Sequence, residues 1–350
     1  MHDEQLIIGE GEHGMALDYL VALQELAMDY GMPPQKTLAG TGIPLNALIR
    51  SNVRIGHKSF SRAVKNVIDE INDPTLAIQY GKRMSMFRHG ALGYAFQASQ
   101  NLAETSELLS KYVDTRSGGG QRFERLETAT TVAIIYRSER EEIDEAVERF
   151  QFLTLLFNVE YLGRFLTGTL NDAIPTEIHI SKPEAGHIPT DILPPGLTIK
   201  FDQPINQLIA PKDYFYRPII TADPSIMPEA LSQIEYEMLS IESALDIASI
   251  IRRKLRDHQG KMPSLPQMSE QMNLSSSSLK RKLKDLGMTY QKIRDAELFH
   301  KAIYLLSTTQ HTLEQIADAL GYGDSSNFTK AFKHWAGLTP NEYRKKYRGE

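Results

Sequence analysis

The stretch from Thr312 to Tyr343, TLEQIADALGYGDSSNFTKAFKHWAGLTPNEY, decides the fold of the C-terminal part of the chain. Leu313, Ile316, Ala317 and Leu320 recur at helical spacing, and Gly321 follows where a helix ends on a residue tolerant of positive φ. Asp324 then offers a side-chain oxygen as N-cap, and Phe328, Phe332 and Trp335 fall on one face of a second helix that stops at Gly337. The pattern spells two helices joined by a tight turn, a helix-turn-helix. The face opposite the aromatic stripe carries Ser325, Ser326, Asn327, Lys330 and Lys333, donors suited to base edges and phosphates, as a helix in a major groove requires. Pro340, just inside a third helix after Thr339, restarts the chain as a short basic segment ending Arg344, Lys345, Lys346. An apolar stripe closing on Phe and Trp also reads as plain core, so the pattern by itself leaves packing and DNA binding both open.

A second copy lies upstream, where Ser264 to Gly287 (SLPQMSEQMNLSSSSLKRKLKDLG) repeats the apolar pattern. Leu265, Met268 and Met272 correspond to Leu313, Ile316 and Leu320 at an offset of 48, and Leu279, Leu283 and Leu286 to Phe328, Phe332 and Trp335 at an offset of 49. The extra residue falls in the turn. Ser275 is the N-cap of this first recognition helix, and Ser276, Ser277, Lys280, Arg281 and Lys284 line its exposed face. Between the motifs Thr289 to Leu306 reads as one helix, with Ile293, Ala296, Phe299, Ile303 and Leu306 inside. Two such motifs on a rigid connecting helix could enter successive major-groove segments, about 34 Å apart on one face of DNA.

IADALGY, the Asp324-Ser325-Ser326 turn, Phe328, Lys330, Phe332-Lys333, Gly337-Leu338-Thr339-Pro340 and Tyr343-Arg344 together resemble the signature of AraC/XylS-family transcriptional regulators. The resemblance spans about residues 245 to 348. It implies that Ser277, Lys280 and Arg281 face bases from the first recognition helix and Ser325, Ser326 and Lys330 from the second. Many relatives of this subgroup have Pro-Arg-Thr where this chain has Ser276-Ser277-Ser278, so the first helix has lost a long donor. The second motif is therefore expected to give the stricter base readout, with Arg281 the best reader in the first.

Net charge is −5, but it divides unevenly. From Ile241 onward there are 18 Lys and Arg against 12 Asp and Glu, a balance of +6, which leaves 21 against 32, or −11, for the first 240 residues. A basic C-terminal part on an acidic partner fits a reader of phosphate backbones joined to a module that is not one. At 350 residues two domains are expected, with boundaries at 1–225 for sensing and dimerisation, 226–240 for a linker and 241–350 for DNA binding. No run reaches the apolar length of a membrane span, and the acidic start MHDEQLIIGEGEHG is unlike a signal peptide, so a cytoplasmic protein is expected. Zero cysteines exclude disulfides, thiolate zinc sites and thiol nucleophiles. The ten His show no HExxH or paired spacing; His13, His57 and His89 sit singly among polar neighbours, which reads as surface or core rather than metal ligation. No metal, cofactor or catalytic residue is expected.

The N-terminal part reads as α+β. Residues 1 to 15 have little pattern and are expected to be mobile. Helices are expected over Ala16–Tyr30, Ser59–Ile71, Ala77–Met84, Leu102–Val113 and, long and apolar, Ala146–Leu166. Ser117-Gly118-Gly119-Gly120 reads as a flexible turn, not a phosphate loop, since no strand precedes it and no Lys-Ser/Thr follows. Period two marks Thr131–Tyr136, Glu177–Ser181, Leu197–Phe201 and Gln207–Ala210 as strands. From Gly42-Ile43-Pro44 through GALGYAFQASQNLAETSELLSKY to Ala222-Asp223-Pro224, the order resembles the effector domain of ornithine-utilisation-type AraC-family regulators, over roughly residues 20 to 225. That implies a small-molecule sensing and dimerising role. Prolines at 218, 224 and 228 punctuate the junction, after which Glu229–Asp257 is expected to be helical with a break near Ser240. Leu245, Ala248, Ile251 and Leu255 form the packing seam there, with Arg252, Arg253 and Arg256 outward.

Met84, Met86, Phe87, Tyr94 and Phe96 beside the polar Arg88 and His89 could line an apolar effector pocket with the long helix, and they also read as ordinary core and loop residues. The expected function is a sequence-specific transcriptional regulator that binds a double-stranded DNA operator as a homodimer, responds to a small-molecule effector, and meets RNA polymerase if its output is activation. Control by a protein partner or by oligomerisation is the rival. An enzyme fused to a DNA-binding domain would need a nucleophile with its base, a carboxylate pair or a phosphate loop, and the first 240 residues offer none at interpretable spacing.

Overall fold

The computed structural model describes residues 6–8, 14–49, 53–138, 144–242, 247–258, 260–285, 288–336 and 338–348. Leu245, Leu286, Gly287, Gly337 and the side chains of Arg253 and Arg256, all used in the sequence reading, lie outside what is described. The chain divides into two units, residues 1–244 and 245–350, each with its own apolar cluster.

The first unit is α+β. Strand β1 (Leu6–Ile8) runs parallel to β3 (Val53–Gly56), which pairs antiparallel with β2 (Gly14–Ala16). Part of the N-terminal stretch expected to be mobile is thus held in a sheet; strands of three residues are too short to display an alternation. The larger sheet uses β4 (Gln121–Glu127), β5 (Thr131–Ser138), β6 (Thr176–His179), β7 (Leu197–Lys200) and β8 (Asn206–Pro211) in the order β4-β5-β8-β6-β7. All neighbours are antiparallel except β6 and β7. β8 alternates buried Asn206, Leu208 and Ala210 with half-buried residues, whereas β5, paired on both sides, buries Val132 to Tyr136 without a break. β4 escaped the sequence reading because it is an edge strand with charges at Arg122, Glu124, Arg125 and Glu127, and Phe123 is its only deeply buried large apolar residue.

Across the sheet lies the helix Glu145–Thr167, capped by Asp144, which accepts from the Ala146 and Val147 N–H groups at 3.0 and 3.2 Å. It ends where Gly168 takes φ +69°. Its other side packs on helix Leu76–Arg83, approaching so closely that a Cβ on Gly81 would sit 2.8 Å from Phe157. Asn158 locks the pair by donating to the carbonyls of Gly81 and Met84 at 2.9 and 2.7 Å. Toward its end Arg164, fully buried, pairs with Glu160 and donates to the carbonyls of Asp172 and Ile174 at 2.7 and 3.1 Å. These bonds tie the helix to the turn that leads into β6.

Two expectations need correcting here. Ser117 to Gly120 is not a flexible turn: all four residues are buried, the three glycines have φ of +74°, +105° and +77°, and a Cβ on Gly118 would lie 2.1 Å from the Gly14 carbonyl oxygen. Only glycine lets the chain pass beneath β2 there. The stretch expected as a linker is helical from Glu229, as expected, but it packs as part of the first unit. It lies in helix Met227–Glu242, which packs on helix Gly90–Ala98 and sends Ala230 and Ile234 into the first unit's core.

The second unit is all-α: Ile247–Asp257, Leu265–Gln271, Ser276–Asp285, Tyr290–Thr308, Leu313–Ala319, Ser325–Ala336 and Pro340–Arg348. Ala248, Ile251 and Leu255 pack inward as expected. The connecting helix buries Ile293, Leu298, Ala302 and Leu306, while Ala296 is exposed and Phe299 and Ile303 are half-buried. Helices pack against it from more than one side, so its apolar face is wider than a single stripe.

Candidate functional site

The two helix-turn-helix motifs are built from the same local devices. Ser264 and Gln267 form a capping box at the start of the first motif, Thr312 and Gln315 at the start of the second, with Gln accepting from the N-cap N–H at 2.8 Å in each. Each leading helix then ends in the same left-handed turn. In the second, Gly321 has φ +77°, its N–H donates to Asp318 at 2.9 Å, and that of Tyr322 to Ala317 at 2.8 Å. In the first, Asn273 has φ +51°, donating to Glu270 at 3.0 Å, with Leu274 donating to Ser269 at 2.9 Å. Asparagine is the non-glycine residue that best tolerates this conformation. The caps of the two recognition helices are Ser275, accepting from Ser278 N–H at 3.1 Å, and Asp324, accepting from Asn327 N–H at 2.7 Å. A further cap at Thr339, with Glu342 accepting its N–H at 2.7 Å, starts the last helix, which Arg344 ties back to the His311 carbonyl.

Beneath these turns Met268, Leu279 and Leu283 in one motif, and Ile316, Phe328 and Phe332 in the other, are buried. Phe299 of the connecting helix meets Phe332 and Trp335 with ring centroids 5.7 and 5.9 Å apart. With the apolar faces used inward, the donors face out. Ser277, Lys280, Arg281 and Lys284 are exposed on the first recognition helix, and Ser276 is half-buried. On the second, Ser326, Asn327, Lys330 and Lys333 are exposed and Ser325 half-buried. Two of these are engaged locally. Ser325 donates to Glu314 at 3.1 Å, and the Asn327 amide donates to Asp324 at 2.8 Å, so both brace the turn. Ser326, Lys330 and Lys333 keep their donors outward.

In the first unit the long helix and the larger sheet enclose a cavity of about 880 Å³ of space unfilled by atoms, its mouth included. Leu155, Val159 and Leu166 line one side, and Phe123, Ile134 and Leu208 the other. A second space, about 770 Å³, shares Tyr19, His89, Gln121, Leu155 and Asn158 with it as a common wall. His89 Nδ1 lies 3.1 Å from the Tyr19 hydroxyl; burial, helped by the charge of Arg116, pushes His89 down to about 4, so it is neutral at pH 7. Burial and the neighbouring Glu160 charge push Tyr214 up to about 12. Four polar atoms on residues lining the first cavity are buried without a hydrogen-bond partner: His89 Nε2, the Tyr214 hydroxyl, and one each on Glu160 and Arg116. Glu160 uses Oε1 for Arg164 and for the Thr176 hydroxyl at 2.9 Å, leaving Oε2 unmet. Arg116 uses its Nη2 for Asp18 and for the Arg88 carbonyl at 2.9 Å, leaving Nε unmet.

Of the residues expected to line an effector pocket, Phe96 lines the first cavity and Met84 the second. Met86 is buried but lines neither of these two spaces. Phe87 and Tyr94 are 73% and 52% exposed, and Arg88 pairs with Glu25 at 2.6 Å, so these three belong to the surface. The sequence reading missed Arg116, Glu160 and Tyr214. Glu160 and Arg164 left one signal, an opposite-charge pair at i,i+4 inside an apolar helix, which is the spacing of a buried ion pair. Among the described residues no cluster of three His, Asp or Glu could hold a metal ion, and no helix is long and apolar enough to cross a membrane.

Twin capped motifs with exposed donors, attached to an α+β unit enclosing a cavity, define a ligand-binding-type regulator with a helix-turn-helix DNA-binding domain. Residues 31–219 match the arabinose-binding domain of AraC transcription regulators, and residues 268–346 match a helix-turn-helix domain. The chain belongs to the AraC family of transcriptional regulators. It is 28% identical over 335 residues to the ornithine utilization regulator of Pseudomonas aeruginosa, covering 93% of this chain and 95% of that one. The helix-turn-helix regulator VqsM of the same species is 23% identical over 278 residues, covering 74% and 80%. The solved structure of the transcriptional regulator CdpR, also from Pseudomonas aeruginosa, aligns over 94% of this chain and 98% of its own, with a TM-score of 0.45 and 17% identity. These relatives are transcriptional regulators, not enzymes.

Proposed function

We propose that the protein is a sequence-specific transcriptional regulator that binds its operator as a homodimer, through both recognition helices, under the control of a small-molecule effector held in the cavity beside the long helix. Where its output is activation, RNA polymerase is the further partner. The observation that carries the effector half is the cavity itself, apolar on both sides yet lined by residues with unmet polar atoms, His89 Nε2, Arg116 Nε, Glu160 Oε2 and the Tyr214 hydroxyl. Arg116 also supplies a route outward. Its charge and that of Arg54 act on the partly buried carboxyl of Glu237, which burial pushes up and the two arginines pull down. Glu237 lies on helix Met227–Glu242, the last helix of its unit before the chain enters the DNA-binding unit. An effector touching Arg116 would thus change what that helix meets, which favours ligand control over control by a protein partner.

Mapping the genomic sites bound by the intact protein tests the DNA half, and Arg281→Ala with Lys330→Ala should empty those sites without unfolding the chain. Val159→Trp, which fills the cavity, tests the other half: it should fix DNA binding at one level while wild type varies with growth substrate. Unchanged variation in that variant would remove the effector from this cavity.

A further inference from the structure

We propose that the DNA element covered by one chain is a direct repeat: two similar sub-sites on the same strand, one helical turn apart, each with guanine at the place faced by Arg281 in one motif and by Lys330 in the other. This rests on both recognition helices entering DNA and names the form of the element they select.

The recognition helices correspond residue for residue at an offset of 49. Their caps are Ser275 and Asp324, and Leu279 with Leu283 and Phe328 with Phe332 are buried at matching places. Away from those apolar residues, Ser277, Arg281 and Lys284 are exposed on one helix and Ser326, Lys330 and Lys333 on the other. Steps of four and then three residues put each trio on one helix face. Both trios therefore offer a hydroxyl near the helix start, a long cation one turn on and a lysine after it. Arg and Lys both donate to the O6 and N7 acceptors of guanine, Arg as a fork and Lys from a single ammonium. Beside this face the first helix adds the exposed Lys280, where the second has the half-buried Thr329.

The correspondence extends to the helices on either side. Ile247–Asp257 packs on recognition helix Ser276–Asp285 and on the connecting helix Tyr290–Thr308. Tyr290–Thr308 packs in turn on recognition helix Ser325–Ala336 and on Pro340–Arg348. Thr289 and Thr339 cap the helices that close the motifs, accepting from the Lys292 and Glu342 N–H groups at 3.2 and 3.3 Å. Ile293 and Tyr343 are buried at the same place after those caps. The connecting helix thus closes the first motif and opens the second. The operation that carries one motif onto the other takes Ile247–Asp257 to Tyr290–Thr308, and Tyr290–Thr308 to Pro340–Arg348. A two-fold axis would return Tyr290–Thr308 to Ile247–Asp257, so the motifs are not related by one. Two-fold readers demand an inverted repeat, whereas readers that advance by one repeated step meet their sub-sites in the same direction.

The test is selection from a random double-stranded DNA pool with the full-length chain, followed by affinity measurements on the enriched duplex. Enriched sequences should hold one short motif twice in the same direction, with centres about 10 base pairs apart and guanine at a matched place. Reversing one copy in place should weaken binding as much as scrambling it, by about tenfold or more. Lys280→Thr with Arg281→Lys gives the first helix the face of the second, and both positions are exposed, so the fold is kept. Selected with that variant, one copy should change to match the other. The variant should bind this new duplex about tenfold tighter than the original one, the reverse of wild type. Inverted copies, or full affinity after one copy is reversed, would overturn the direct repeat while leaving DNA binding in place. A variant that keeps the wild-type preference would overturn the matched reading by Arg281 and Lys330. Failure to enrich any sequence would overturn the repeat together with the DNA half of the function.

Discussion

His89 stands in the wall shared by the two cavities, against Tyr19 and close to the positive charge of Arg116. Its folded value of about 4 lies below the ordinary 6.5, so between those limits the unfolded chain binds a proton that the folded chain refuses. Stability contributed by neutral His89 is complete above the unfolded value and is lost as pH falls through the window, by up to about 3 kcal/mol. His89→Asn should therefore flatten the pH dependence of urea unfolding between about pH 7 and about pH 4 relative to wild type. Parallel slopes would show that His89 takes up its proton in the folded state. On the DNA side the residue-level question is which donors remain free. Ser325 and Asn327 brace the turn, leaving Ser326 and Lys330 at the start of the second recognition helix and Arg281 as the longest donor on the first. Arg281→Ala should cost about 1–3 kcal/mol at one operator position and little elsewhere, because a guanidinium fork reads guanine in pairs of bonds. A uniform loss across all positions in a base-by-base scan would place Arg281 on phosphate instead.

At the scale of elements, the two motifs solve one turn with different residues. Gly321 and Asn273 occupy equivalent left-handed positions, and a Cβ on Gly321 would lie 2.9 Å from the Lys261 Cα. Gly321→Ala should destabilise the C-terminal unit by at least about 1–2 kcal/mol from backbone conformation alone. The exposed Asn273→Gly should stay within about 0.5 kcal/mol. Denaturant melts of the two variants would show it, and similar losses in both would mean that the turn conformation is not what the Gly supplies. These motifs were legible because caps, turn residue and apolar stripe agree over a few consecutive residues. The seam Ala248, Ile251 and Leu255 and the strands with clean alternation were legible for the same reason. What stayed hidden depends on partners distant in sequence. β4 is charged and lies at a sheet edge, the Ser117–Gly120 run is buried where β2 and helix Met227–Glu242 pack against it, and Arg116 meets the cavity from a short helical turn with no period to reveal it. The expected pocket segment held Phe96 and Met84 but not Phe87 and Tyr94, since aromatic content marks neither side of a helix as inward.

For the whole molecule, two apolar clusters without a shared residue and a charge balance of −11 before Ile241 and +6 after it describe two units with different partners. The fragment from Ile241 to Glu350 is expected to fold alone, because Ile316, Phe328, Phe332 and the connecting helix bury one another in one apolar cluster. Sequence-specific DNA recognition by that unit is the central claim, and the most direct measurement is its affinity for a genomic site and for a scrambled copy across a salt series. The expected result is tighter binding to the genomic site, with log affinity falling against log salt at roughly −0.9 per phosphate neutralised. A folded fragment that binds both DNAs equally, or whose affinity ignores salt, would contradict it.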